Sequence, residues 1–169
     1  MKRIGYGQVE PNHLSAQRTG QIYAQLPANS EIKVLENGEF VKYDYANNEV
    51  NKTGEGEWML VFNEVKLYDG YRETYKDFAL KASDAVNGVI TPRVFKTNVG
   101  DIFTTNMLEK ASEGRGLETT MTDLEVGDTL GINNDGYLEK DANSDIKFKV
   151  AKVYTMADGQ EAVKIQRIA

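Results

Sequence analysis

The sequence predicts an all-β protein, mainly antiparallel, and three observations carry that prediction. Apolar residues alternate with polar ones at a period of two, as in Ile146, Phe148 and Val150 between lysines. The apolar runs are short, and each is bounded by Gly, Asn or Asp. Two small units recur. Val99-Gly100-Asp101 and Val126-Gly127-Asp128 both read as a turn entering a strand, and Asn37-Gly38 and Asp135-Gly136 both read as a reversal between apolar runs. The expected architecture is a set of small barrel or sandwich units with an extended N-terminal arm and at most one or two short helices.

Taken in order, residues 1–26 are polar, and Gly5, Gly7, Pro11 and Gly20 interrupt any long element. They are expected to form the extended arm. Residues 27–98 form a β-rich region. Ile32 to Leu35 makes a strand that Asn37-Gly38 reverses into Phe40 to Tyr45. In the return, Val41, Tyr43 and Tyr45 share one face, and Phe40, Lys42 and Asp44 share the other. The loop through Gly54-Glu55-Gly56 reads as a flexible tip. Trp58-Met59-Leu60-Val61-Phe62 has no polar alternation, which predicts a central strand. Residues 71–86 fit either a helix or a strand around Tyr75 to Lys81. A strand is the reading taken, because consecutive elements usually pair. Pro92 disfavours a central position for the segment carrying Val94 and Phe95.

Residues 99–169 are expected to form a small antiparallel barrel-like region, with a soft boundary near 98. Asn106 reads as the cap of a short helix stopped by Gly114. The Thr129-to-Lys140 hairpin turns at Asp135-Gly136, read as a type I′ turn with positive φ at both central residues. In the last strand Val163, Ile165 and Arg167 share one face, and Lys164, Gln166 and Ile168 the other.

Composition bounds the chemistry. In 169 residues, 40% are hydrophobic and 27% charged, which is a globular balance. With 20 basic and 26 acidic residues the net charge is -6, which argues against a nucleic-acid binder. No cysteine is present, so disulfides, thiolate nucleophiles and cysteine metal sites are excluded. No run approaches a membrane span, and Met1-Lys2-Arg3 is not followed by the apolar core of a secretory leader. No membrane partner and cytoplasmic synthesis are expected. The lone histidine, His13, has no nucleophile motif around it. The glycines form no phosphate loop. The turn acids around Asp128 and Asp135 lack the ladder of a calcium loop. No catalytic, cofactor-binding or metal residue is therefore assigned, and no enzyme is expected. Nine tyrosines and one tryptophan leave a sugar-stacking face open, if Tyr43, Tyr45, Trp58, Tyr68, Tyr71 and Tyr75 stood exposed in a row.

The layout of Pro27 to Tyr45, followed by Val126 to Lys140 and the closing Asp158-Gly159-Gln160-Glu161-Ala162-Val163-Lys164-Ile165-Gln166-Arg167-Ile168, resembles tailed-phage virion proteins. It looks most like the small β-rich auxiliary proteins that decorate or cement the head. The Trp58-to-Phe95 section has no counterpart in the smallest of these. The resemblance implies a capsid decoration protein on the virion surface, with the major capsid protein as partner, and a trimer. In that reading Tyr6, Val9, Leu14, Ile22 and Tyr23 anchor the arm on neighbouring subunits, and Arg3 and Arg18 supply charge contacts. The competing reading is a carbohydrate-binding or host-surface-binding module carried on a virion.

Overall fold

The computed structural model describes residues 6–13, 25–63, 79–108, 124–156 and 159–169, with the backbone alone for 11–13. Arg3, Leu14, Arg18, Ile22, Tyr23, Tyr68, Tyr71, Tyr75 and Gly114 to Gly116 lie outside the described residues.

The chain is all-β. Its strands in order are β1 (Val9–His13), β2 (Val34–Glu36), β3 (Phe40–Asp44), β4 (Glu49–Asn51), β5 (Met59–Val61), β6 (Ala79–Lys81), β7 (Val94–Phe95), β8 (Ile102–Thr105), β9 (Thr129–Ile132), β10 (Leu138–Lys140), β11 (Phe148–Thr155) and β12 (Glu161–Arg167). They form a six-stranded sheet in the order β1-β8-β12-β11-β9-β10, a four-stranded sheet β4-β3-β5-β7, and the pair β2-β6. Every named strand pairing is antiparallel. The described part of residues 71–86 is strand at 79–81, followed by short 3-10 turns at 82–84 and 86–88.

Among the described residues the six-stranded sheet is not a closed barrel, its edges being β1 and β10. The chain leaving β8 reaches β10 through one parallel bridge, Leu108 to Leu138, with no ladder. Asn106 does not cap a helix, because its side chain accepts from Gln8 N–H and donates to Gln160.

The four-stranded sheet is buried on both faces, which is why β5 shows no polar alternation. Phe40, Trp58 and Leu60 face the six-stranded sheet and join Phe103, Leu130, Phe148, Val163 and Ile165 in one core. Val41, Tyr43, Met59 and Val61 point the other way, into a second core with Leu35, Val50 and Ile90. The Phe148 ring centroid lies 5.7 Å from those of both Phe40 and Phe103. β7 takes the edge of its sheet, as Pro92 requires.

The two recurring turns fold alike. Asp101 N–H donates to Asn98 O, and its Oδ2 accepts from Asn98 N–H at 2.8 Å. Asp128 N–H donates to Glu125 O, and its Oδ2 accepts from Glu125 N–H at 2.9 Å. Gly100 and Gly127 hold φ of +96° and +97°. Each then donates its N–H to a neighbouring strand, at Arg167 O and Val150 O.

The two reversals do not fold alike. Asn133 to Gly136 closes the β9–β10 hairpin, with positive φ at Gly136 and not at Asp135. Asn133 Oδ1 accepts from the N–H groups of Asp135 and Tyr137, which fixes the longer loop in place of a type I′ turn. Asn37-Gly38 makes no hairpin. β2 leaves to pair with β6, and β3 pairs with β4 and β5. The turn is a corner between sheets, because Gly38 N–H donates to Val61 O and a Cβ on Gly38 would fall within 3.3 Å of Thr105, Met107 and Val9.

Candidate functional site

Two places gather polar chemistry: the root of the N-terminal arm and a groove beside Trp58.

At the arm root, Gly7 and Gln8 are buried. Gly7 N–H donates to Glu36 Oε2 and Gln8 N–H to Asn106 Oδ1, both at 2.8 Å. Glu36 N–H in turn donates to Glu39 Oε2 at 2.7 Å. Asn37 and Asn63 bond each other through side chain and backbone, and Asn63 Oδ1 also accepts from Arg93 N–H. Buried polar groups are stable only when paired, so this chain of amides and carboxylates fixes one position for the incoming segment. Gln8 Oε1 is the exception, buried without a hydrogen-bond partner among the described residues.

Of the arm residues expected to grip neighbours, Tyr6 and Val9 are described, and both are engaged within the chain. Lys81 Nζ stands 4.9 Å from the Tyr6 ring centroid. Val9 packs against the first core and pairs with Thr105. Next to it, Tyr154 hydroxyl donates to Glu10 Oε2 at 2.7 Å and hydrogen-bonds Thr104 Oγ1 at 2.8 Å. Burial pushes the Tyr154 hydroxyl above its ordinary pKa, and the Glu10 carboxylate adds to the rise. Gln8, Glu36, Asn63, Asn106 and Gln160 carry no local signal of this role. In sequence each is an ordinary turn or loop polar residue.

The groove has a volume of about 740 Å³. Trp58, Ile132 and Ile146 line it together with the loops around 53–57 and 143–145. Lys42 Nζ lies 4.7 Å from the Trp58 ring centroid. Lys52 Nζ is held by Phe40 O at 3.1 Å and Glu39 Oε1 at 3.5 Å. Glu57 is bound to Arg167 Nη2 at 2.8 Å and to Lys96. The 54–56 rim is not a flexible tip. Gly54 N–H donates to Asn51 Oδ1, Gly56 N–H donates to Tyr43 O, and a Cβ on Gly54 would fall 2.3 Å from Tyr43 O.

The aromatics named for a stacking face are split between environments. Tyr43 is buried, Trp58 is 9% exposed and Tyr45 is 68% exposed, so these three form no exposed row. Among the described residues, no group of three His, Cys, Asp or Glu side chains could hold a metal ion. No described helix is long and apolar enough to cross a membrane, which says nothing of spanning by strands. The chain matches no family model, no curated protein and no solved structure.

Proposed function

We propose that this chain is a non-enzymatic structural protein of a tailed-phage virion, one that binds the major capsid protein and stabilises the shell from its surface. The reading rests on the resemblance of its hairpin segments to auxiliary head proteins. One structural observation supports it. The N-terminal segment enters the edge of the six-stranded sheet through the buried bonds of Gly7 and Gln8, so anything the arm grips is tied to a rigid β body. An edge strand is also where a neighbouring chain can add its own.

The burial of Tyr43 and Trp58 favours this reading over a glycan-binding row of aromatics. Arg3, before β1, and Arg18, beyond it, are the residues that would supply charge contacts. Deleting residues 1–5 is expected to leave the fold intact and to abolish attachment to purified heads, read by co-sedimentation. Unchanged attachment would sink the part given to Arg3 and leave the arm's role to Leu14, Arg18, Ile22 and Tyr23, beyond β1. A trimer belongs to the same proposal, and a monomer by light scattering at high concentration would remove it.

A further inference from the structure

We propose that the open edge of β11, residues 151–155, binds an extended acidic segment of a partner protein by strand addition. The inference goes beyond shell attachment, which is placed at the arm, and it uses a different edge of the six-stranded sheet.

β11 is eight residues long and pairs with β12 from end to end. On its other side, β9 pairs only with Phe148 and Lys149. Val150 closes that contact, accepting from Gly127 N–H and donating to Asp128 O. Beyond Val150 the edge has no partner strand among the described residues. Met156 N–H donates to Gln160 O, so Met156 and Tyr154 turn their backbone groups toward β12. Val153 and Thr155 alternate with them and turn theirs away, where no described residue meets them. Ladder groups left open in this way are where a second chain adds a strand. Ala151, Lys152 and Thr155 are exposed and Val153 is half-buried, so the edge is reachable from solvent.

Charge selects the partner. Val150, Val163 and Ile165 face the first core, so Lys149, Lys152 and Lys164 stand on the opposite face of the sheet. Lys152 and Lys164 lie directly across from each other, an arrangement that destabilises a sheet. Lys149 Nζ meets Thr129 Oγ1 at 3.3 Å, and Lys152 Nζ stands 5.3 Å from the Tyr154 ring centroid. None of the three lysines has an ion pair among the described residues, in a chain with 26 acidic residues. An edge lysine and a bulge, here between Val150 and Lys152, also serve to guard an edge against pairing. Guarding does not account for Lys164, whose strand lies between β8 and β11. The side chains of an added strand alternate between the two faces. Acidic ones would lie beside Lys152, with Lys149 and Lys164 in diagonal reach, and apolar ones would cover Val153. A second copy joined through the same edge fits less well, because it brings Lys152 toward Lys152.

The probe is a short capped peptide of alternating glutamate and valine, titrated into the isotope-labelled full chain and followed by NMR. Without peptide, the amides of Val153 and Thr155 are expected to exchange fast. With it they should shift and become protected, with half-saturation at about 1 mM. Lys152→Gln with Lys164→Gln should weaken binding about tenfold, or about 1.4 kcal/mol, and should not lower the melting temperature. Thr155→Pro removes one outward N–H and no bond to β12. It should weaken binding while the amides shared by β11 and β12 keep their protection. Slow exchange at Val153 and Thr155 without peptide overturns the proposal, because the edge is then already filled. Protection that rises with protein concentration alone also overturns it and assigns the edge to a second copy. So do the absence of any shift, binding that either variant leaves unaltered, equal binding of a lysine–valine peptide, and tighter binding of a single-stranded oligonucleotide. Loss of head attachment on deleting residues 1–5 leaves all of these readings in place, so the two proposals fail separately.

Discussion

Gly136 and Gly127 share a left-handed backbone, with φ of +80° and +97°, but not the same surroundings. A Cβ at Gly127 meets nothing within 4 Å, whereas one at Gly136 would sit 2.1 Å from Phe40 O. That approach carries the bond from Phe40 N–H to Gly136 O, which joins the four-stranded sheet to the β9–β10 hairpin. Gly127→Ala is expected to cost about 1 kcal/mol, the conformational term alone. Gly136→Ala should cost about 3 kcal/mol or more, because backbone must move. Urea midpoints of the two variants check the order, and equal losses would contradict it. A single turn aspartate gives a pH prediction at the same scale. Asp128 lies below the ordinary carboxylate value of 3.8, first through the Glu125 N–H and then through Lys140. A depressed folded pKa means that its contribution is present above 3.8 and is lost as pH falls through the lower folded value. Asp128→Asn should therefore flatten the acid limb of the stability curve and leave its shape above pH 3.8 unchanged, as read by thermal melts across pH.

Among the elements, β1 is an edge strand fastened in part by a polar contact. Its partner β8 lies far along the chain, and the pairing shifts register between Glu10 and His13, around Pro11. The Tyr154 hydroxyl between Glu10 and Thr104 is one of its fastenings. Tyr154→Phe is expected to remove about 1 kcal/mol of local stability. Amide exchange should speed up in residues 7–13 and stay unaltered in β11 and β12 away from the substitution, because local opening follows local contacts. Uniform acceleration across the sheet would show instead that β1 opens only with the whole body. At this scale the two Val-Gly-Asp units were legible in the sequence, since their geometry is complete within four residues. The hairpin at Gly136 was legible in all but its turn type, whereas the corner at Gly38 was not, since Gly38 answers to Val61, Thr105 and Val9, none of which is near it in sequence.

For the whole molecule, the sheets divide near residue 98 but the first core does not. Phe40, Leu60 and Phe95 share one core with Phe103, Phe148 and Ile165. β1 crosses the same line, joining the N-terminal segment to the sheet built from residues 102–167. The truncation experiment gains a second arm from this. Removing residues 1–13 takes away the edge strand and the Gly7 and Gln8 bonds, so it should lower the melting temperature as well as attachment. Removing residues 1–5 should affect attachment alone. If both truncations melt like the full chain, β1 contributes nothing to the body.

The sequence by itself determined the all-β class, the central place of the Trp58 to Phe62 run, the edge place of β7 and the buried face of Val163, Ile165 and Arg167. These follow from period-two patterning, proline chemistry and turn residues, all of which act between near neighbours. Only the tertiary structure decided which strands pair, that the six-stranded sheet stays open, and that Gln8, Glu36, Asn63 and Asn106 meet in one buried seam. It also brought Trp58 beside Asn143 and Asp145. Those outcomes depend on groups separated by tens of residues, and local preference does not specify which distant donor a buried acceptor will find.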